Sequence, residues 1–266
     1  MLRSIDGAPN KGLSMSTWRA GLDLLNIPSR CVMCGLWPTG GQGTRWCAEC
    51  DAKWALMSTR CQRCARRLRL PATICGECLM QPPSLNRCVA AVDYAFPWPQ
   101  LIYKLKGAHG QAWGSTMAKL MVRAWLADSD IFGIPKIWAP IPVHNSTLRT
   151  RGHNQSWALL RRIMLSEAFE AFDQSIADLL VRPQPSEVQH QLGKAARQRN
   201  MRYAFQFNER RCKLIESAIQ KNASLQVVLI DDVYTTGATV NAAARAIKAK
   251  WPVEVSALVF ARTPPR

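Results

Sequence analysis

The chain has 266 residues, 48% of them apolar, with 35 Lys/Arg against 18 Asp/Glu and a formal net charge of +17. That length and apolar content support one good-sized packed domain plus a small module and exclude a disordered chain. The charge points to polyanionic neighbours, nucleic acid before nucleotides and pyrophosphate, and an anionic membrane surface last. Twelve basic against five acidic side chains fall in the first 92 residues, so the excess is spread along the chain rather than gathered in one tail.

No apolar run approaches the roughly 20 residues that a bilayer-spanning helix needs, and the first 30 residues lack the apolar centre of a signal peptide. No membrane span and a cytoplasmic location are therefore expected. Residues 1–30 read as a polar leader in which Met15 offers an alternative start. In a reducing compartment, cysteine pairs are read as metal ligands before disulfides.

Residues 31–88 form the second segment. Eight of the ten cysteines fall into four pairs of one spacing: Cys31 and Cys34, Cys47 and Cys50, Cys61 and Cys64, Cys75 and Cys78. Two thiolates separated by two residues in a turn occupy two corners of a tetrahedron, and a second such knuckle completes a four-thiolate zinc shell. Two consecutive ribbons, Cys31/Cys34/Cys47/Cys50 and Cys61/Cys64/Cys75/Cys78, are the simplest arrangement, and an interleaved pairing is also compatible with the spacing. All four ligand positions are filled in either case and none is open for chemistry, so the module, with two structural zinc ions in the simple arrangement, has a structural or adhesive role. The segment is expected to depend on metal for stability, because its loops offer little core. Arg60, Arg63, Arg66, Arg67 and Arg69 crowd the second ribbon, where they either contact a nucleic-acid backbone or simply solvate the surface. Cys88 and Cys212 read as small core side chains.

From about Val89 to residue 266 the pattern becomes alternating α and β. Ala90–Phe96 predicts a strand, Leu101–Lys106 opens a helix, and Gly114–Leu126 carries an apolar stripe of Met117, Leu120, Met121 and Trp125. Ile137–Val143 reads as a strand running into a loop stiffened by Pro140 and Pro142. An amphipathic helix is predicted from Ser156 to about Phe172. Val227–Ile230 is a short β-branched run of the kind a parallel sheet buries on both faces. It delivers two adjacent carboxylates, Asp231 and Asp232, and then Thr235, Thr236, Gly237, Ala238 and Thr239, before a helix over Val240–Lys250. A strand, a tight loop and a helix start aim backbone N–H groups and the positive end of the helix dipole at one point, where an anion can sit. The acids would repel that anion, so they should face ribose hydroxyls and Mg²⁺, which takes oxygen ligands. A buried strand with a polar turn is the plainer reading, but paired acids after an apolar strand are costly to place without a ligand.

The segment Val227–Thr239 resembles the ribose-phosphate signature of type I phosphoribosyltransferases, which bind phosphoribosyl pyrophosphate (PRPP). Tyr234 stands where that superfamily more often has an aliphatic residue. Further boxes resemble the ComF family of competence-associated, phosphoribosyltransferase-like proteins. They are Leu105-Lys106, Pro140-Ile141-Pro142-Val143, Arg151-Gly152-His153-Asn154-Gln155, Gln189 with Leu192, Arg197 with Asn200, Ala204-Phe205 and Ala261-Arg262. The cysteine segment lies where family members carry a zinc ribbon. His153 replaces the usual Phe of its box, Ser186 fills a slot that is commonly Thr, and Pro183 and Pro185 stiffen the approach to Gln189.

The resemblance implies a parallel α/β sheet flanked by helices and preceded by the zinc-ribbon module. It implies that Thr235–Thr239 grip the 5-phosphate and that Asp231 and Asp232 form the catalytic acid pair on the ribose. Val143, His144 and Asn145 then offer backbone donors to pyrophosphate, assisted by Arg151. Arg182–Arg202 corresponds to a hood over the ligand, with Arg197, Arg199 and Arg202 facing pyrophosphate or nucleic acid. The expected protein binds PRPP with Mg²⁺, acts in natural competence and DNA uptake, contacts single-stranded DNA and works beside a competence helicase. Phosphoribosyl transfer fits the site, although no base-recognition motif names an acceptor. The alternatives are a nucleic-acid-binding adaptor with a vestigial PRPP pocket and a nucleobase-salvage transferase.

Overall fold

In the computed structural model the described residues are 30–31, 33–37, 46–70, 72–107, 111–128, 136–166, 174–176, 178–182, 205–221 and 225–264. Two compact units divide between Lys53 and Trp54. The smaller contains the first cysteine group and most of helix α1 (Ala48–Trp54). The larger takes in the second cysteine group, which the sequence reading joins to the first in one module over 31–88. Cys61, Cys64, Cys75, Cys78, Leu85 and Cys88 pack into the same apolar cluster as the sheet, and this packing draws the boundary earlier than the composition change at Val89 implies.

The larger unit runs α2 (Gly76–Met80), β1 (Arg87–Asp93), α3 (Trp98–Lys106), α4 (Gln111–Leu126), β2 (Lys136–Pro140), α5 (Asn145–Arg151) and α6 (Gln155–Met164). It continues with β3 (Gln174–Ile176), β4 (Leu180–Val181), β5 (Gln206–Phe207), α7 (Glu209–Lys221), β6 (Gln226–Tyr234), α8 (Ala238–Lys250) and β7 (Glu254–Arg262). Five strands pair in parallel in the order β1-β7-β6-β2-β3, while β4 and β5 form a small antiparallel pair. Parallel strands buried on both faces favour the β-branched runs seen in β6 and β7.

Alternation sorts their side chains. Val227, Leu229, Val255, Ala257 and Val259 join the core with Ala243, Ala244 and Ile247 of α8 and Ile215 of α7. On the other face Trp138 of β2 meets Trp125 of α4 at 5.0 Å between ring centroids, and Phe260 of β7 meets Trp98 of α3 at 5.3 Å. Edge-to-face pairs of this kind add about 0.5–1.5 kcal/mol beyond the area they bury.

Several element ends differ from the sequence expectation. β6 continues through both acids to Tyr234 because β7 supplies parallel partners as far as Arg262, opposite Tyr234. β2 stops at Pro140, which has no N–H to donate, and the next amide, Ile141, bonds the Ile230 carbonyl at 2.9 Å. β1 begins at Arg87 and ends at Asp93 rather than running to Phe96. Helix α6 ends at Met164, short of Phe172, and residues 167–173 lie outside the described set, as does the expected hood apart from Arg182.

Candidate functional site at the carboxyl end of the sheet

From β2 the chain continues outward to β3, and from β6 it continues the other way to β7, so the direction of strand progression reverses between β2 and β6. Open parallel sheets bind ligands outside the carboxyl ends of the strands at such a point. Here β6 presents Asp231 and Asp232, both buried. Asp231 Oδ1 accepts from Ser156 Oγ at 3.0 Å and from the Asp232 amide at 2.9 Å. Burial, reinforced by the neighbouring Asp232 carboxylate, holds the Asp231 carboxyl well above the ordinary carboxylate range. Asp232 Oδ2 lies 2.8 Å from Lys106 Nζ at the end of α3, so this acid has a cation beside it.

Beyond Tyr234 the loop presents Thr235 and Thr236 to solvent, with Ala238 exposed and Thr239 half-buried in the first turn of α8. Gly237 occupies the helix N-cap with φ of 76°, and a Cβ there would collide with the Tyr234 phenol. Glycine is thus required twice over, by the left-handed backbone and by the close approach of the ring. The Ala238 amide donates to Thr236 Oγ1 at 3.3 Å. Asn241 Nδ2 donates to the Gly237 carbonyl at 2.9 Å and to the Tyr234 hydroxyl at 3.1 Å. Under the loop the buried Arg262 guanidinium donates to the carbonyls of Tyr234 at 3.2 Å and Thr235 at 2.7 Å and stacks 4.7 Å from the Tyr234 ring. This shape and its fixed dipoles can receive a phosphate.

Across the switch point, Val143 lines a cavity of about 810 Å³ together with Pro142, His153, Trp157, Arg161 and Arg182. His144 is half-buried at the start of α5, and Arg151 is exposed in its last turn, outside the residues that line the cavity. Gly152, with φ of 77°, ends α5 and turns the chain to Asn154. Asn154 caps α6 by accepting from the Ser156 amide at 2.9 Å and ties the cap to the end of β2 through Nδ2 and the Ile141 carbonyl at 3.0 Å. That cap places Ser156 against Asp231. His153 Nε2 lies 2.9 Å from the Leu105 carbonyl, so this residue is hydrogen-bonded to α3. The expected acids and threonines thus meet at one end of β6, Val143 faces the adjacent cavity, and Arg151 stands apart from it.

Each cysteine group gathers four sulfurs within 4.8 Å of one another, and the groups are the consecutive ones, Cys31/Cys34/Cys47/Cys50 and Cys61/Cys64/Cys75/Cys78. The 3.7 Å separations of Cys34 from Cys47 and of Cys64 from Cys75 fit the edge of about 3.8 Å of a tetrahedron with Zn–S near 2.3 Å. The Cys47 amide points at Cys31 Sγ at 3.4 Å and the Cys75 amide at Cys61 Sγ at 3.3 Å. Burial alone would raise both thiols, but backbone N–H donors outweigh it and bring Cys31 to about 6 and Cys61 to about 7. Burial pushes Cys64 up to about 11 and raises Cys50 and Cys78 further. Four thiols this close ionise together only around a cation, so both groups can hold structural zinc. Among the described residues, no helix is long and apolar enough to cross a membrane.

Lys106 and Arg262 lie in sequence boxes singled out above and Arg182 opens the expected hood, but nothing in the sequence gives their roles, and Ser156 and Asn241 carry no motif. Only the Asn154 capping signal hints that the next turn faces inward.

A helix-flanked parallel sheet with an acid-and-threonine corner at its switch point defines an α/β protein, with two four-cysteine groups that can hold metal. No family model matches the chain. The DNA utilization protein YhgH of Escherichia coli O6:H1 is 30% identical over 223 residues, covering 82% of this chain and 89% of the relative. Its Salmonella typhimurium counterpart is 27% identical with the same coverages, and Competence protein F of Haemophilus influenzae is 28% identical over 76% of this chain and 84% of the relative. The chain belongs to the ComF family.

Proposed function

We propose that this protein binds PRPP with Mg²⁺ where β6 meets α8 and serves DNA uptake in natural competence, contacting the incoming single strand in the cytoplasm beside a helicase. The observation that carries the ligand assignment is the order of groups along one backbone: two buried carboxylates at the switch point, then exposed threonines and a left-handed glycine at a helix start. In this reading Thr235, Thr236, Gly237, Ala238 and Thr239 hold the 5-phosphate and Asp231 and Asp232 the ribose hydroxyls. Val143 and His144 offer backbone donors toward the pyrophosphate, and Arg151, exposed in the last turn of α5, would serve as the supporting cation only by reaching in from outside the cavity. Mg²⁺, when bound with the ligand, neutralises pyrophosphate charge. Transfer of the phosphoribosyl group to an acceptor is the chemistry such a site would perform. The role in competence rests on the names of the relatives, DNA utilization protein and Competence protein F.

Calorimetry with PRPP and Mg²⁺ on the wild type and on the Asp231→Ala/Asp232→Ala double variant tests the site. Binding by the wild type alone is expected, and equal binding by both would remove the assignment. A pyrophosphate-release assay over candidate acceptors, DNA included, tests turnover.

A second reading, an adaptor for nucleic acid with a vestigial pocket, is favoured by Arg67 and Arg69, exposed beside half-buried Arg63 on the second cysteine segment. Single-stranded DNA binding that weakens steeply with salt would support it, because phosphate contacts release counterions. Flat salt dependence would count against it.

A further inference from the structure

Arg262 Nε donates to the Cys64 carbonyl at 2.9 Å, while its Nη1 holds the Tyr234 and Thr235 carbonyls. One buried guanidinium therefore joins the second cysteine knuckle to the threonine loop. A separate path runs parallel to it. Asn241, whose Nδ2 holds the Gly237 carbonyl, accepts at Oδ1 from the Ser84 amide at 2.8 Å, four residues beyond α2 of the same cysteine segment. Both backbone carbonyls that flank the exposed threonines are thus held by side chains that also bond the metal-binding segment.

Arg262 donates its hydrogen bonds to carbonyls and to the Thr263 hydroxyl, and these fix it only while its acceptors stay in place. The Cys64 carbonyl belongs to the knuckle turn, in which the Ala65 amide bonds the Cys61 carbonyl at 2.8 Å. A four-thiolate metal fixes that turn, and without the metal the turn loses its anchor. The guanidinium would then lose an acceptor, and the loop above it would lose its floor.

We propose that Arg262 is a positioning residue that couples metal loading of Cys61/Cys64/Cys75/Cys78 to phosphate binding at Thr235–Thr239. The proposal rests on the PRPP reading. Coupling between sites is reciprocal in affinity, so a ligand on the loop must tighten the cluster's hold on its metal by the factor with which the metal tightens the ligand, and slower metal loss is the readout.

The test follows zinc release from full-length protein to a coloured chelator, with and without PRPP and Mg²⁺. Cys34→Ser removes the contribution of the first group, so the remaining zinc reports on the second. PRPP is expected to slow release about 5-fold or more, within the usual range of such couplings. Arg262→Lys keeps a cation but lacks the fork that reaches the carbonyls of Cys64, Tyr234, Thr235 and Thr263. It should bind PRPP more weakly and release zinc at a rate that PRPP does not alter. A merely structural arginine would change basal release and leave the ligand effect intact. Should Arg262→Lys fail to fold, Asn241→Ala, which cuts the parallel path, is expected to reduce the ligand effect in part. PRPP binding to the wild type with unchanged zinc release would overturn the coupling alone. Absence of PRPP binding to zinc-loaded wild type would overturn the functional reading and the coupling with it.

Discussion

The two cysteine groups are copies of one local design in different surroundings. In each, the residue after the first pair adopts a left-handed backbone, Gly35 at φ 72° and Ala65 at φ 55°, and its amide returns to the first cysteine carbonyl. In each, a short helix starts straight after the third cysteine. The first group leaves Cys34 exposed, whereas all four sulfurs of the second are buried and share a core with β6, β7 and α8. The same knuckle is thus a local staple in one unit and part of the sheet's own core in the other. Metal-ligand spacing tells what a cluster binds but not what leans on it.

Removing one ligand from each group makes the sharpest test. Cys78→Ser is expected to lower the stability of the sheet unit by more than about 3 kcal/mol, because metal binding is folding free energy for what packs on it. Cys34→Ser should leave that unit within about 0.5 kcal/mol of wild type. Urea unfolding followed by fluorescence, with Trp98, Trp125 and Trp138 reporting on the sheet unit, separates the two, and equal losses would end the comparison.

Asp231 of β6 lies in the unit that contains the second group. Its folded-state carboxyl is raised by burial and by Asp232, so the fold binds its proton more tightly than the unfolded chain does. Stability is then lost as pH rises from the unfolded value of about 3.9 toward the folded one. Asp231→Asn escapes that loss. It should melt higher than wild type at neutral pH, with the gap closing below about pH 4, and it should do so to a similar extent in the Cys34→Ser background. Binding of PRPP should be lost in the same variant. A lower melting temperature at neutral pH would mean that the charge is compensated in the fold.

Smaller effects sharpen the contrast. Arg60 Nη1 bonds Asp93 Oδ1 at 2.6 Å and the Ala65 carbonyl at 3.1 Å, clipping the second knuckle to the end of β1. Arg60→Ala should cost about 1–2 kcal/mol in the urea assay, since the pair is half-shielded from water. Ala65→Gly relieves the left-handed backbone but frees the unfolded chain, so a change under about 1 kcal/mol is expected. A large gain there would show that the second knuckle stores strain that the glycine-bearing first knuckle avoids.

Much of this was legible in the residue order. The Val227–Thr239 segment announces itself because apolar branching, paired acids and threonines each have a narrow set of uses in that sequence. The four cysteine pairs do the same. What stayed hidden depends on neighbours distant in the chain. That β6 runs on to Tyr234 is decided by β7, and Ser156, set by the Asn154 cap, meets Asp231 across 75 residues of chain. A buried cysteine reads alike whether it serves a metal, a core or both, so the fusion of the second group with the sheet had no signal of its own.

β1 is an outermost strand of the sheet, and the second cysteine segment lies along its open side, where the Cys88 amide donates to the Gln62 carbonyl at 2.7 Å. Unpaired strand borders invite other chains to add on. Chelation of the second site should therefore do more than soften the molecule: it should bare a sticky margin, and depleted protein should self-associate and scatter light before it unfolds.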